Sequence, residues 1–169
     1  MRVLSVLAAL MVAASLAACS SSSGSPSPST SPSAAAQRAQ AITHNEGEAR
    51  ALVELFGARQ QNVTTQAPAA NARKIRVQYG GLVAPALLAR WMSKPTAAPG
   101  RNVSSPWPDH IAITAVVFNG SNSCSVSGQL VMLSSAYVAN GAIDAEVPVH
   151  LQLSRLSGKW LITDYVQGP

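Results

Sequence analysis

From His110 onward, apolar and polar residues alternate in four runs separated by turn-forming dipeptides, and this alternation limits the fold more than any other feature of the chain. The first run, His110 to Asn119, carries Ile111, Ile113, Ala115 and Val117 in phase and ends at Asn119-Gly120. In the second, Cys124 to Ala136, Val126, Leu130 and Met132 share a phase. Asn140-Gly141 marks another turn before Ile143 to Arg155, where Val147, Val149, Leu151 and Leu153 line up. Ser157-Gly158 then leads into Lys159 to Gln167, with Trp160 and Ile162 on one side and Asp164 and Val166 as candidates to extend it. A period of two places alternate side chains on opposite faces of a sheet. Short links between consecutive runs demand antiparallel neighbours. The expectation is a four-stranded meander, buried on one face.

The preceding segment has a helical period. Thr43-His44-Asn45-Glu46 matches a capping box. Ala49, Leu52, Val53 and Phe56 follow at the spacing of one helix face, predicting a helix to about Gln61 that Gly47 and Gly57 weaken. Residues 69–83 fit two patterns. Ile75, Val77 and Tyr79 alternate as in a strand, whereas Ala72, Ile75, Tyr79 and Val83 make a helical face; helix is the expectation, broken by Gly80-Gly81. Pro85 suits a first helical turn, and Leu87, Leu88, Trp91 and Met92 would pack inward. Pro95 and Pro99-Gly100 end the helical part. Two or three N-terminal helices packed on a curved four-stranded antiparallel sheet make an α+β fold.

The N-terminus has a separate character. Met1-Arg2 supplies a positive charge, Val3 to Ala18 is apolar, and Leu16-Ala17-Ala18-Cys19 follows. This layout is that of a secretory signal peptide, and the cysteine directly after small residues resembles a bacterial lipobox. The resemblance implies cleavage between Ala18 and Cys19 and a diacylglyceryl group, with palmitate-type acyl chains, on the Cys19 thiol. The apolar stretch is shorter than the roughly 20 residues a spanning helix requires. Ser20 to Ser33 contains only Ser, Gly, Pro and Thr, a composition unable to offset its own ordering entropy. The expected organisation is a signal peptide over 1–18, a lipidated tether over 19–42 and an α+β domain over 43–169. Localisation follows: the extracytoplasmic face of a cell membrane. Of the two cysteines, only Cys124 would then keep a thiol, so no disulfide can form within the chain.

The formal charge of +5 is unevenly spread. After Glu54 no acid occurs until Asp109, and Arg59, Arg73, Lys74, Arg76, Arg90, Lys94 and Arg101 fall between. Arg73, Lys74 and Arg76 are candidate contacts to anionic headgroups or to envelope proteins; a solvated basic face is the plain alternative. No nucleic-acid-binding motif accompanies the charge, and no nucleic-acid partner is expected.

The Leu156-Ser157-Gly158-Lys159-Trp160-Leu161-Ile162-Thr163 hairpin, after helices and a long-stranded sheet, resembles the ending of NTF2-like (cystatin-like cone) domains. That resemblance covers about residues 43–169. It implies a curved sheet around a long helix, a cone-shaped pocket and frequent dimerisation, so a homodimer is compatible with it. The superfamily spans isomerases, cyclases, transport factors and secretion or conjugation-channel subunits, so fold does not fix chemistry.

Acid–base candidates are Asp109, His110, Asp144, Glu146, His150, Asp164 and Tyr165. Asp109 and His110 are sequence neighbours, and in extended backbone their side chains should diverge. His150 is out of phase with Val149 and Leu151 and should face solvent beside Asp144 and Glu146. No nucleophile-elbow, phosphate-loop or metal-ligand spacing occurs, so no cofactor and no catalysis are expected. Trp107, held between Pro106 and Pro108, is either a rigid lead into the first strand or an aromatic anchor for a partner. The functional expectation is a non-catalytic interaction or scaffold module of the cell envelope, with an accessory role in a secretion or conjugation complex as its candidate setting. The alternative is a pocket that binds, or turns over, a small apolar molecule. Phe56 and Trp91 discriminate: if they fill the cone, the pocket loses its basis.

Overall fold

The computed structural model describes residues 33–64, 68–140 and 143–168. Cys19, the expected signal peptide over 1–18 and most of the expected tether over 19–42 lie outside the described residues. Helix α1 spans Ala34–Arg59 and continues as a 3-10 turn, Gln60–Asn62. It begins a full two turns before the expected capping box. Ser33 Oγ accepts from the Ala36 amide at 3.3 Å and serves as the N-cap. The Ala-rich sequence that follows has the highest helix propensity available. Thr43 sits inside the helix and turns its hydroxyl back to the Ala39 carbonyl at 3.0 Å, while Glu46 pairs with Arg50 at 2.9 Å. The residues that resemble a cap are therefore ordinary mid-helix positions.

Only the C-terminal half of α1 is buried, through Ala49, Val53, Phe56 and Gly57. This half lies across the strand that carries Ile111. Gly57 is what permits the approach: a Cβ there would come 2.8 Å from the Ile111 amide nitrogen. The glycine expected to weaken the helix is the one that seats it.

Helix α2, Pro68–Tyr79, takes the helical alternative for its segment, with Ile75 and Tyr79 buried. Gly80 and Gly81 end it, and α3, Pro85–Ser93, starts on the proline as expected. Leu87 and Trp91 point into the core while Leu88 and Met92 pack at its margin.

The sheet has order β1-β2-β3-β4 and every pairing is antiparallel. The strands are β1 Trp107–Phe118, β2 Ser123–Leu133, β3 Ala145–Leu156 and β4 Lys159–Gln167. Ser157 and Gly158, both at positive φ, form the two-residue turn whose twist matches the strands it joins. Between β2 and β3 the chain makes a short helix, α4 Ser135–Asn140, where the sequence reading extended β2 to Ala136. Ser134 starts it, its hydroxyl accepting from the Ala136 amide at 3.2 Å.

Three irregularities in register shift the expected phase. One between Ile113 and Ala115 leaves Ala115 and Val117 exposed and turns Val116 and Phe118 toward the core. One opposite Gln152 and Leu153 puts Tyr165, not Asp164 or Val166, against the core. The third, between Pro108 and His110, concerns the candidate residues below. A bulge adds one residue to a strand and so inverts every later side chain.

Candidate functional site

The interior between the helices and the sheet holds an aromatic cluster. Phe56 stands at its centre, 4.9 Å from the Tyr79 ring, 6.1 Å from Trp91 and 5.5 Å from Tyr165. Tyr79 and Trp91 meet edge to face at 5.5 Å. The Tyr79 hydroxyl donates to the Pro99 carbonyl at 2.6 Å, which ties α2 to the loop after the helical layer. Burial, with Tyr165 nearby, raises the Tyr79 phenol well above its ordinary value. Phe56 and Trp91 thus fill the interior between the helices and the sheet, so the pocket expected there loses its basis and any ligand site must lie outside this cluster.

Beside the cluster the structure is open. A cleft of about 550 Å³ lies between the 96–106 loop and the inner face of the sheet. Apolar walls come from Ala97, Pro99, Val103, Leu130, Met132 and Val147, and polar groups from Thr96, Asn102, Tyr165 and Gln167. The Tyr165 hydroxyl donates to Gln167 Oε1 at 3.2 Å. Burial pushes its phenol up to about 12, against a smaller lowering by the Gln60 amide beside it. Gln60 itself is wholly buried, and neither of its amide atoms has a partner in hydrogen-bond geometry. Tyr165 therefore connects the closed aromatic interior to the open cleft.

Of the acid–base candidates, Tyr165 alone lines this cleft. Asp109 and His110 do meet, contrary to expectation: Asp109 Oδ2 is 2.7 Å from His110 Nδ1. The register shift at this point removes the alternation that would have separated them. The pair is exposed and away from the cleft lining. His150 is exposed as expected and contacts Ser127 Oγ at 3.1 Å. Asp144 and Glu146 are exposed, and Asp164 pairs with Arg90 at 3.0 Å. Among the described residues no group of His, Cys, Asp and Glu could hold a metal ion.

Trp107 opens β1 opposite Leu133 and is half-buried; its neighbour Pro106 lines the cleft. Arg73, Lys74 and Arg76 are exposed on α2. Sequence reasoning missed Gln60, Gln167 and the 96–106 loop. The dense Pro and Gly of that loop signalled a helix end but not what the loop would face.

No family model matches the sequence, and no curated protein matches it. Solved structures do. A five-substitution variant of Rd1NTF2_05 is 18% identical, with 74% of this chain and 99% of that chain covered at a TM-score of 0.38. An NTF-2 like protein of unknown function from Shewanella oneidensis MR-1 is 10% identical, with 78% and 99% covered at a TM-score of 0.36. Both neighbours carry the NTF2 name. The architecture described above stands on strand order, register and packing alone.

Proposed function

We propose that this chain is a lipid-anchored extracytoplasmic protein that binds a small, neutral ligand bearing both apolar and hydrogen-bonding groups, without transforming it. The observation that carries the reading is the cleft beside the aromatic cluster. Its volume of about 550 Å³ falls within the roughly 300–1,000 Å³ usual for small-molecule sites. Apolar walls with a few convergent polar groups are what such sites present. Among the described residues no charged side chain lines it, which favours an uncharged ligand. Tyr165, held far above neutral pH in its protonated form, offers a hydroxyl and not a base. The scaffold role expected from the sequence draws less support, because its aromatic anchor, Trp107, is half-buried within the sheet. Anchoring rests on the Leu-Ala-Ala-Cys19 segment; intact-mass measurement of the native protein checks it through the acyl mass on Cys19.

The ligand reading is tested by fluorescence titration of the full chain with N-phenyl-1-naphthylamine, a neutral apolar probe of suitable size. Saturable binding at one site is expected. Ala97→Trp should abolish it by filling the cleft, and Tyr165→Phe should weaken ligands with a hydrogen-bonding end about tenfold, the equivalent of one hydrogen bond. Binding that persists in Ala97→Trp would place the probe elsewhere and overturn the reading.

A further inference from the structure

We infer that the outer face of α2 is a docking surface for the anionic headgroups of a membrane. This face is built by helical spacing. Asn71, Ile75 and Tyr79 turn inward and are buried, which leaves Arg73, Lys74, Arg76 and Val77 exposed on the opposite side. Val77 is 64% exposed, the highest value among the large apolar side chains so exposed. No ion pair engages Arg73, Lys74 or Arg76 among the described residues. No acid occurs in α2 or α3, because none lies between Glu54 and Asp109 in the sequence. Arg90 of α3 already neutralises the carboxylate of Asp164.

Residues three and four apart on a helix are surface neighbours, so the three cations and the valine form one patch. Their chemistry is complementary to a phosphate-bearing lipid surface: cations at phosphate level, with a single apolar side chain among them to enter the headgroup boundary. Such an amphipathic face gains from both contributions. A soluble acidic protein would match the charge but gives no reason for the exposed valine. The inference takes its setting from the anchored reading and makes no use of the cleft.

The test is co-sedimentation of the full chain with two sets of vesicles, pure phosphatidylcholine and phosphatidylcholine with 30 mol% phosphatidylglycerol. The ratio of the two partition coefficients is the readout, because apolar or acylated N-terminal segments contribute to both sets alike. Each exposed cation near an anionic surface contributes about fivefold to that ratio. The expected ratio is therefore about 100, and it should collapse in 0.5 M salt. Arg73→Gln/Lys74→Gln/Arg76→Gln should bring it close to one with an unchanged melting temperature. Arg38→Gln/Lys94→Gln/Lys159→Gln removes the same charge from other exposed positions and should leave most of it. A wild-type ratio near one overturns the inference and leaves an acidic protein as the partner for this face. Equal loss in both triple variants also overturns it, since net charge and not α2 would then be responsible. A failed acylation measurement at Cys19 would remove the anchor but leave the ratio as it stands, so the two readings fail separately.

Discussion

Gln60 is the residue whose environment contradicts its chemistry. Its side chain is fully buried, and among the described residues neither amide atom makes a hydrogen bond of good geometry, although the Tyr165 hydroxyl lies close enough to feel the amide. A buried amide left unsatisfied costs about 1–3 kcal/mol, whereas an apolar group of similar shape avoids that cost. Gln60→Leu should therefore raise stability by roughly 1 kcal/mol, seen as a rise in melting temperature of about 3–6 °C. A fall of similar size would show that the amide meets a bound water or a ligand group. The same residue bears on the cleft, because Gln60 acts on the Tyr165 hydroxyl. A Leu there removes that influence while Tyr165 keeps its bond to Gln167.

Helix α1 carries two glycines whose replacement should have opposite signs. At Gly47 a Cβ would meet nothing within 4 Å. Gly47→Ala thus gains helix propensity and should stabilise by about 0.5–1 kcal/mol. At Gly57 the added Cβ would press on the Ile111 backbone nitrogen at 2.8 Å, and the resulting displacement of α1 from β1 should cost about 1–3 kcal/mol. Urea denaturation of the two variants checks both; equal signs would mean that α1 does not sit against β1 as described. The sequence identified most elements and their order, because Leu87 and Trp91, and Val149, Leu151 and Leu153, keep an unbroken period, whereas Ile75 and Tyr79 fit both periods and left their segment open between helix and strand. It failed wherever a local insertion resets that period. The bulges before Ala115 and opposite Gln152 inverted the facing of Val117 and Val166, and the shift after Pro108 brought Asp109 onto His110. The start of α1 was missed for a different reason. Ser33 lies in a Ser/Pro-rich segment whose composition gives a cap no contrast, and Thr43-Glu46 offered a better-formed local signal inside the helix. The cleft was illegible because it is made by the 96–106 loop against β2, β3 and β4, a long-range juxtaposition with no periodic signature.

At the scale of the molecule, the core stores its acid–base response on the alkaline side. Burial pushes the Cys124 thiol up to about 11 and the Tyr165 phenol up to about 12, and raises Tyr79 as well. For each group the folded form holds its proton beyond the point at which the unfolded chain releases it. Below about pH 8 both states are protonated and these groups leave stability unchanged. As pH rises past the unfolded values, about 8.5 for Cys and about 10 for Tyr, the unfolded state ionises first and stability falls until the folded pKa is reached. Tyr165 alone should withdraw on the order of 2 kcal/mol by pH 12. Guanidinium denaturation at successive pH values should show a plateau up to about pH 8 and a decline above it. The decline has separable parts, since Cys124→Ala removes the portion beginning near the unfolded thiol value of about 8.5, while Tyr165→Phe lessens the portion beginning near pH 10, to which Tyr79 also contributes. Tyr165→Phe also tests the site and the core together. The phenol ring packs on Phe56 at 5.5 Å and should remain there, so a flattened alkaline limb with an intact fold, accompanied by weaker ligand binding, is the joint outcome expected if one hydroxyl faces both the closed cluster and the open cleft. Stability that stays level through pH 12 in the wild type would mean that Cys124 and Tyr165 are reached by water, and the separation between a dry interior and an open cleft would fail with it.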